Sequence, residues 1–168
     1  MSAFSETMPL NRVRDGLRLD LTADPAERAA IVQRLDLASL ERLEAHVALE
    51  RKDEQVRAHG RLRGVLEQRC VATDVPLPVH VDEPFDILFK PEPTVAPDSD
   101  IELSDVDCDV VFHDGAAIDL GAALADTLAL SLDPYPRAPG ADDALREAGV
   151  LTEEQAGPFA ALAALKKG

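Results

Sequence analysis

Tryptophan is absent from this chain, and all aromatics together make up 4% of it. The core must therefore be aliphatic, built from Leu, Val and Ala. No apolar run approaches the about 18 residues that a membrane-spanning helix needs. The first residues, MSAFSETMPLNRV, lack the basic start and apolar centre of a secretory leader. Cysteine occurs only as Cys70 and Cys108, which fits a reducing compartment better than a disulfide scaffold. These absences lead us to expect a soluble, cytoplasmic protein without membrane contact. At 168 residues it is expected to form one domain, 1–168, able to bury roughly 70% of its unfolded surface.

Recognisable catalytic signatures are missing as well. There is no HExxH pair, Gly-x-Ser-x-Gly elbow, phosphate-binding loop or dinucleotide glycine pattern. His46, His59, His80 and His113 show no local ligand spacing, and three of them sit on the polar phase of strands. Neither catalytic residues nor a cofactor is expected, so a non-enzyme is the reading preferred over a hydrolase using scattered carboxylates.

Basic residues are also in short supply. Lys and Arg number 17 against 32 Asp and Glu, for a net charge of −15. The deficit is local: residues 1–70 carry 12 of each sign, whereas residues 71–168 carry 5 bases and 20 acids. Such an acidic half repels nucleic-acid phosphates and attracts basic partners, so DNA is not expected as a ligand.

What is present reads as alternating structure. LRLDL (17–21) has the period of a half-buried strand. Asp24, Pro25 and Glu27 then supply an N-cap, a first-turn proline and a capping-box acid for a helix over 25–35. Leu43, Ala45, Val47 and Leu49 alternate with polar residues, as do Val56, Ala58, Gly60, Leu62, Gly64 and Leu66, with the turn-like RKDE between the two runs. Gly60 and Gly64 share a face and leave room for a bulky neighbour, most simply a helix crossing the sheet. In 75–90, Val75, Leu77, Val79 and Val81 share one face and Phe85, Ile87 and Phe89 another. Pro76, Pro78 and Pro84 there imply an edge strand or a bulge. Residues 91–109 are Pro-rich and acidic, as in a loop.

A short strand VVF and an Asp114–Gly115 turn precede the stretch IDLGAALADTLALSLDPYPRAPGA, residues 118–141. Asp119 is placed to cap a helix whose Leu120, Leu124, Leu128 and Leu132 form one stripe, and Pro134 and Pro136 end it. A short helix near 141–148 and an amphipathic PFAALAALKK end form the tail 141–168. The expected fold is α+β: an antiparallel sheet of about four to six strands, open or barrel-like, carrying the 25–35 and 119–132 helices.

Two charged sets are candidate binding sites. Arg57, Arg61 and Arg63 share a strand face, with Arg69 beyond them and Arg42 on the neighbouring strand, and a row of guanidinium groups can track an RNA backbone. The alternative is a solvated face whose arginines pair with Glu41, Glu44 and Glu50. No aromatics interleave with them to stack bases. The acids Asp98, Asp100, Glu102, Asp105, Asp107 and Asp109 fail as a calcium loop, because Leu103 and Val110 fall where glycine is required. They suit a basic protein partner better.

Four pieces together resemble the YceD family, bacterial proteins described as large ribosomal RNA subunit accumulation proteins. They are LEQRCVATDVPLPVHVDEPFDILFKP (66–91), the acidic linker after it, the helix-and-proline segment, and the PFAALAALKK end. The resemblance spans about residues 10–168. It rests most on Arg69, Cys70, Asp119, Leu120, Asp133, Pro134, Tyr135 and Pro136. Many relatives carry Cys-x-Arg-Cys and a second cysteine cluster that together look like a zinc site. Here Glu67 holds the first Cys position, and Tyr135, Pro136 and Arg137 replace the second cluster. No metal is therefore carried over. The resemblance implies a non-enzymatic role in the synthesis, processing or stability of 23S ribosomal RNA and in large-subunit biogenesis. The partner would be precursor 23S RNA or a basic ribosomal or processing protein. The rival to it, besides a hydrolase, is a general interaction module.

Overall fold

The computed structural model describes residues 2–4, 7–93 and 109–150. In chain order these form β1 (Ser2–Ala3), β2 (Thr7–Pro9), a short 3-10 turn (Leu10–Arg12), β3 (Leu17–Thr22) and α1 (Pro25–Leu35). The long strands β4 (Ser39–Lys52), β5 (Gln55–Arg69) and β6 (Pro76–Pro91) follow. The last elements are β7 (Asp109–His113), β8 (Ala117–Asp119), α2 (Leu120–Ser131) and α3 (Ala141–Glu147). The acidic residues 94–108 and the PFAALAALKK end lie outside the described residues.

Both main helices begin where their capping residues require. Asp24 accepts the Glu27 N–H at 2.8 Å, and the Glu27 carboxylate accepts the Asp24 N–H at 2.8 Å, closing a capping box over Pro25. Asp119 accepts the Ala122 N–H at 2.9 Å and starts α2. Leu120, Leu124 and Leu128 are buried there, as their four-residue spacing predicts.

The strands form one sheet in the order β1-β3-β4-β5-β6-β7, with β2 and β8 as a separate two-stranded sheet. β3–β4 and β4–β5 are antiparallel, whereas the outer pairs β1–β3 and β6–β7 are parallel. The sheet does not close, because its end strands β1 and β7 are not neighbours. The barrel-like alternative is thereby corrected, and an open α+β architecture remains.

One face of the sheet is the core. Leu43, Ala45, Val47 and Leu49 on β4 and Val56, Ala58, Leu62 and Leu66 on β5 are buried with Ile31 of α1 and Leu120, Leu124 and Leu128 of α2. Each fully buried leucine contributes roughly 1.5–3 kcal/mol. On β6, Val81, Phe85, Ile87 and Phe89 are all in this cluster. The expectation of two faces there is corrected: all four are odd-numbered and so share one side of the strand. β7 pairs with β6 only from Ile87 to Pro91. Pro76, Pro78 and Pro84 therefore lie in a stretch with one unpaired flank among the described residues, where a missing N–H costs no ladder bond.

Gly60 differs from expectation too. A Cβ there would stand 1.9 Å from the His46 carbonyl oxygen and 3.1 Å from the Phe85 ring. Its neighbour is thus the β4 backbone rather than a helix. At Gly64 the nearest atom, on Leu43, would be 3.5 Å away.

The described chain divides into two compact units. The first joins residues 1–67 with 78–132; the second joins 68–77 with the described residues from Asp133 onward. In the second unit, Gln68 donates to the Asp133 carbonyl at 2.9 Å and the Val71 N–H donates to the Pro136 carbonyl at 2.9 Å. The proline-rich segment that ends α2 is thereby tied by one side-chain bond to the end of β5 and one backbone bond to the turn after it.

We expect Gly60→Ala to destabilise the chain by about 1–3 kcal/mol or more, since a carbonyl cannot yield like a side chain. Gly64→Ala should lie within about 1 kcal/mol of the native chain, because only ordinary contacts form there. Urea unfolding of the two variants checks the contrast.

Candidate functional site

The face opposite the core carries the arginine row. Strand alternation that buries Val56, Ala58 and Leu62 points Arg57, Arg61 and Arg63 outward, and the β4 register sets Glu50 opposite Arg57, His46 opposite Arg61 and Glu44 opposite Arg63. The bonded partners come from the other side, on β6. Arg57 makes a two-pronged pair with Asp86, Nε–Oδ1 at 2.8 Å and Nη2–Oδ2 at 2.5 Å. Arg61 bonds Asp82, and Arg63 reaches the same carboxylate at 3.4 Å. The expected partners Glu41, Glu44 and Glu50 are thus corrected to Asp82 and Asp86. From Arg57 to Arg61 the partner moves backwards from Asp86 to Asp82, as it must between antiparallel strands.

These bonds hold both carboxyls below the usual carboxylate range, Asp82 chiefly through the Arg61 hydrogen bond and Asp86 chiefly through that of Arg57. A lowered pKa keeps the pairing in place until the pH falls below the ordinary aspartate range. The row is therefore charge-paired at neutral pH.

The other members of the sequence-derived set fall elsewhere. Arg42 is exposed at a bulge in β4 opposite Val65, and no ion pair of it is found among the described residues. Arg69 lies in the second unit, 3.7 Å from Asp74. Of the acidic set, Asp109 is exposed at the start of β7, while Asp98, Asp100, Glu102, Asp105 and Asp107 lie outside the described residues.

The histidines divide by position. His46 is exposed, with Nδ1 2.5 Å from Asp20 Oδ1. His113 is buried: its Nδ1 accepts the Gly115 N–H at 3.0 Å, which leaves Nε2–H to donate to the Glu54 carbonyl at 2.9 Å. Its role is to fasten the end of β7 to the β4–β5 turn. The sequence signal for this was its position in phase with Val111 on the core side.

Cys70 is buried in the second unit. The sulfur accepts the Ala138 N–H at 3.3 Å, and among the described residues no group of three or more His, Cys, Asp or Glu could hold an ion. The Thr73 hydroxyl, the Ala138 N–H and the N–H groups of Ala72 and Thr73 lower the thiol to about 7, against burial that would raise it. The hydrogen-bonded sulfur lies within the unit that holds Pro134, the exposed Tyr135 and Pro136.

Fold and surface together define an open-sheet α+β protein with a helix-covered face and a charge-paired outer face. Residues 58–166 match the family described as large ribosomal RNA subunit accumulation protein YceD, and the chain belongs to that family. The match begins inside β5, later than the resemblance from about residue 10, so β3, α1 and β4 precede it. No curated protein and no solved structure matches the chain. The family description supports a role in ribosome and ribosomal RNA biogenesis. No helix among the described residues is long and apolar enough to cross a membrane.

In a Cys108→Ser background, the thiolate absorbance of Cys70 should titrate with a midpoint about pH 7. Because the folded thiol is lowered relative to an unfolded one at about 8.5, Cys70 adds stability as pH rises through that interval. The contribution is lost as pH falls through about 7. Chemical unfolding at pH 6.5 and 9, with Cys70→Ala as reference, reads the sign.

Proposed function

We propose that this chain supports accumulation of large-subunit ribosomal RNA as a non-enzymatic factor that holds a basic ribosomal or processing protein, rather than by gripping precursor 23S RNA with its arginine row. The observation that carries this reading is the pairing of Arg57, Arg61 and Arg63 with Asp82 and Asp86. Exposed ion pairs are weak and could be broken. Breaking them, however, would turn two bare carboxylates toward the phosphates that had taken their arginines. Counterion release, a main source of RNA affinity, is reduced for a row whose three guanidiniums already share two carboxylates.

Net charge acts in the same direction. A body of −15 with its excess in residues 71–168 draws cationic proteins and repels polyanions. The place of action would be the cytoplasm, where precursor subunits are assembled.

Depletion of the protein in its own host should lower the ratio of 23S to 16S ribosomal RNA. Complementation with Arg57→Glu/Arg61→Glu/Arg63→Glu should restore that ratio to at least about half of normal, since the row does not supply the affinity. Neutralising Asp98, Asp100, Glu102, Asp105, Asp107 and Asp109 to Asn or Gln should leave it low. Northern analysis of precursor species reads both. Failure of the arginine variant alone transfers the role to RNA contact.

A further inference from the structure

The sheet ends on β7, and nothing among the described residues pairs with its far side. The His113 carbonyl accepts the Glu92 N–H at 3.0 Å, so His113 faces β6 with its backbone groups. Backbone direction alternates along a strand. Asp109 and Val111 therefore also face β6, while Val110 and Phe112 turn their N–H and C=O groups outward.

Edge strands are commonly blunted by lysine, proline or a bulge. Here the two outward positions are a β-branched and an aromatic residue, 44% and 51% exposed. The register sets Leu88 beside Val110 and Lys90 beside Phe112, on the face away from the core. Leu88, Val110 and Phe112 make an apolar strip alongside unpaired backbone groups. Its surroundings are acidic: Asp109 opens the strand, Asp114 follows it, and Glu92 lies beside its end, all exposed. The Asp114 carboxylate accepts the Ala116 N–H at 2.9 Å. Lys90 adjoins the strip, and Arg57 and Lys52 share the groove that Leu88 lines, so the acidic side of the strip is its β7 edge.

We propose that β7 is a strand-addition site for a basic, extended polypeptide segment. The incoming segment hydrogen-bonds the outward N–H and C=O groups of Val110 and Phe112 and lays alternate apolar side chains on the strip of Leu88, Val110 and Phe112. Its intervening residues turn to the other face, where a basic one meets Asp109, and a basic residue at the end of the segment meets Asp114. This deepens the basic-partner reading above and rests on it. RNA suits the strip less well, because a lone exposed ring offers one stacking surface and carboxylates border the edge on which a strand would pair.

The test is amide hydrogen exchange on the nitrogen-15-labelled full chain, with and without a short peptide alternating lysine and valine. The same peptide N-methylated at every second residue is the control. Exchange at Val110 and Phe112 should slow by about tenfold or more with the first peptide, and the N-methylated peptide should have no effect. Phe112→Thr should weaken binding about tenfold, and added salt should weaken it further. The proposal is overturned if these amides do not respond, or if both peptides protect equally. It is also overturned if polyuridylate protects them instead, or if protection grows with protein concentration alone, which marks a second copy as the occupant. The N-methylated control uses the unaltered chain, so its result does not depend on a variant folding.

Depletion in the host separates this proposal from the reading beneath it. A fall in 23S RNA with silent amides keeps the ribosomal role and removes the edge site. Protected amides with an unchanged RNA ratio keep the edge site and remove the ribosomal role.

Discussion

At Gly60 the carbonyl of His46 stands 1.9 Å from where a side chain would begin. The β4–β5 ladder can approach this closely only because that position has no Cβ, and the Phe85 ring of β6 closes over the same spot. Around this contact the three longest strands share one register. That register segregates the side chains: between Leu43 and Leu49 the odd-numbered residues of β4, and on β5 the even-numbered apolar residues, enter the core, while Glu44, His46, Arg57, Arg61 and Arg63 take the other face. A one-residue slip would bury the arginines and expose the leucines. Core and charged surface are thus two results of the same pairing.

The charged face owes its character to β6. Had the arginines faced only Glu44, Glu50 and His46 on β4, they would have stood in a loose mixed surface. Asp82 and Asp86 supply hydrogen bonds as well as charge, and the depression of both carboxyl pKa values follows from that geometry. Three guanidiniums sharing two carboxylates leave little free positive charge on that face. In the second unit, backbone bonds from Val71 and Ala138, with the Cys70 sulfur as an acceptor, join the turn after β5 to the proline-rich segment.

Much of this was legible in one dimension. The capping box at Asp24 and Glu27, the Leu120–Leu124–Leu128 stripe, the break at Pro134 and the buried alternation on β4 and β5 all rest on contacts within one element or across one turn. The parallel pairing of β7 with β6 was not legible, nor were the arginines' acceptors or the true neighbour of Gly60. Each depends on residues far apart in the chain. The same applies to Phe85, Ile87 and Phe89, whose face was misassigned because the exposed Glu83 interrupts an otherwise continuous odd-numbered phase. The acidic set was conspicuous in the sequence, yet only Asp109 falls among the described residues.

The sequence by itself determined the elements, the aliphatic core, the skewed charge and the family motif, because periodicity, capping and composition are properties of neighbouring residues. The tertiary structure alone decided that the arginines are already engaged, that the sheet stays open, and that Val110 and Phe112 lie on its unpaired edge. Those outcomes depend on which strand comes to lie beside which. Two strands of similar pattern can pair in either direction and on either flank. Only the packing of the whole sheet, with glycine at its one close approach, selects among them.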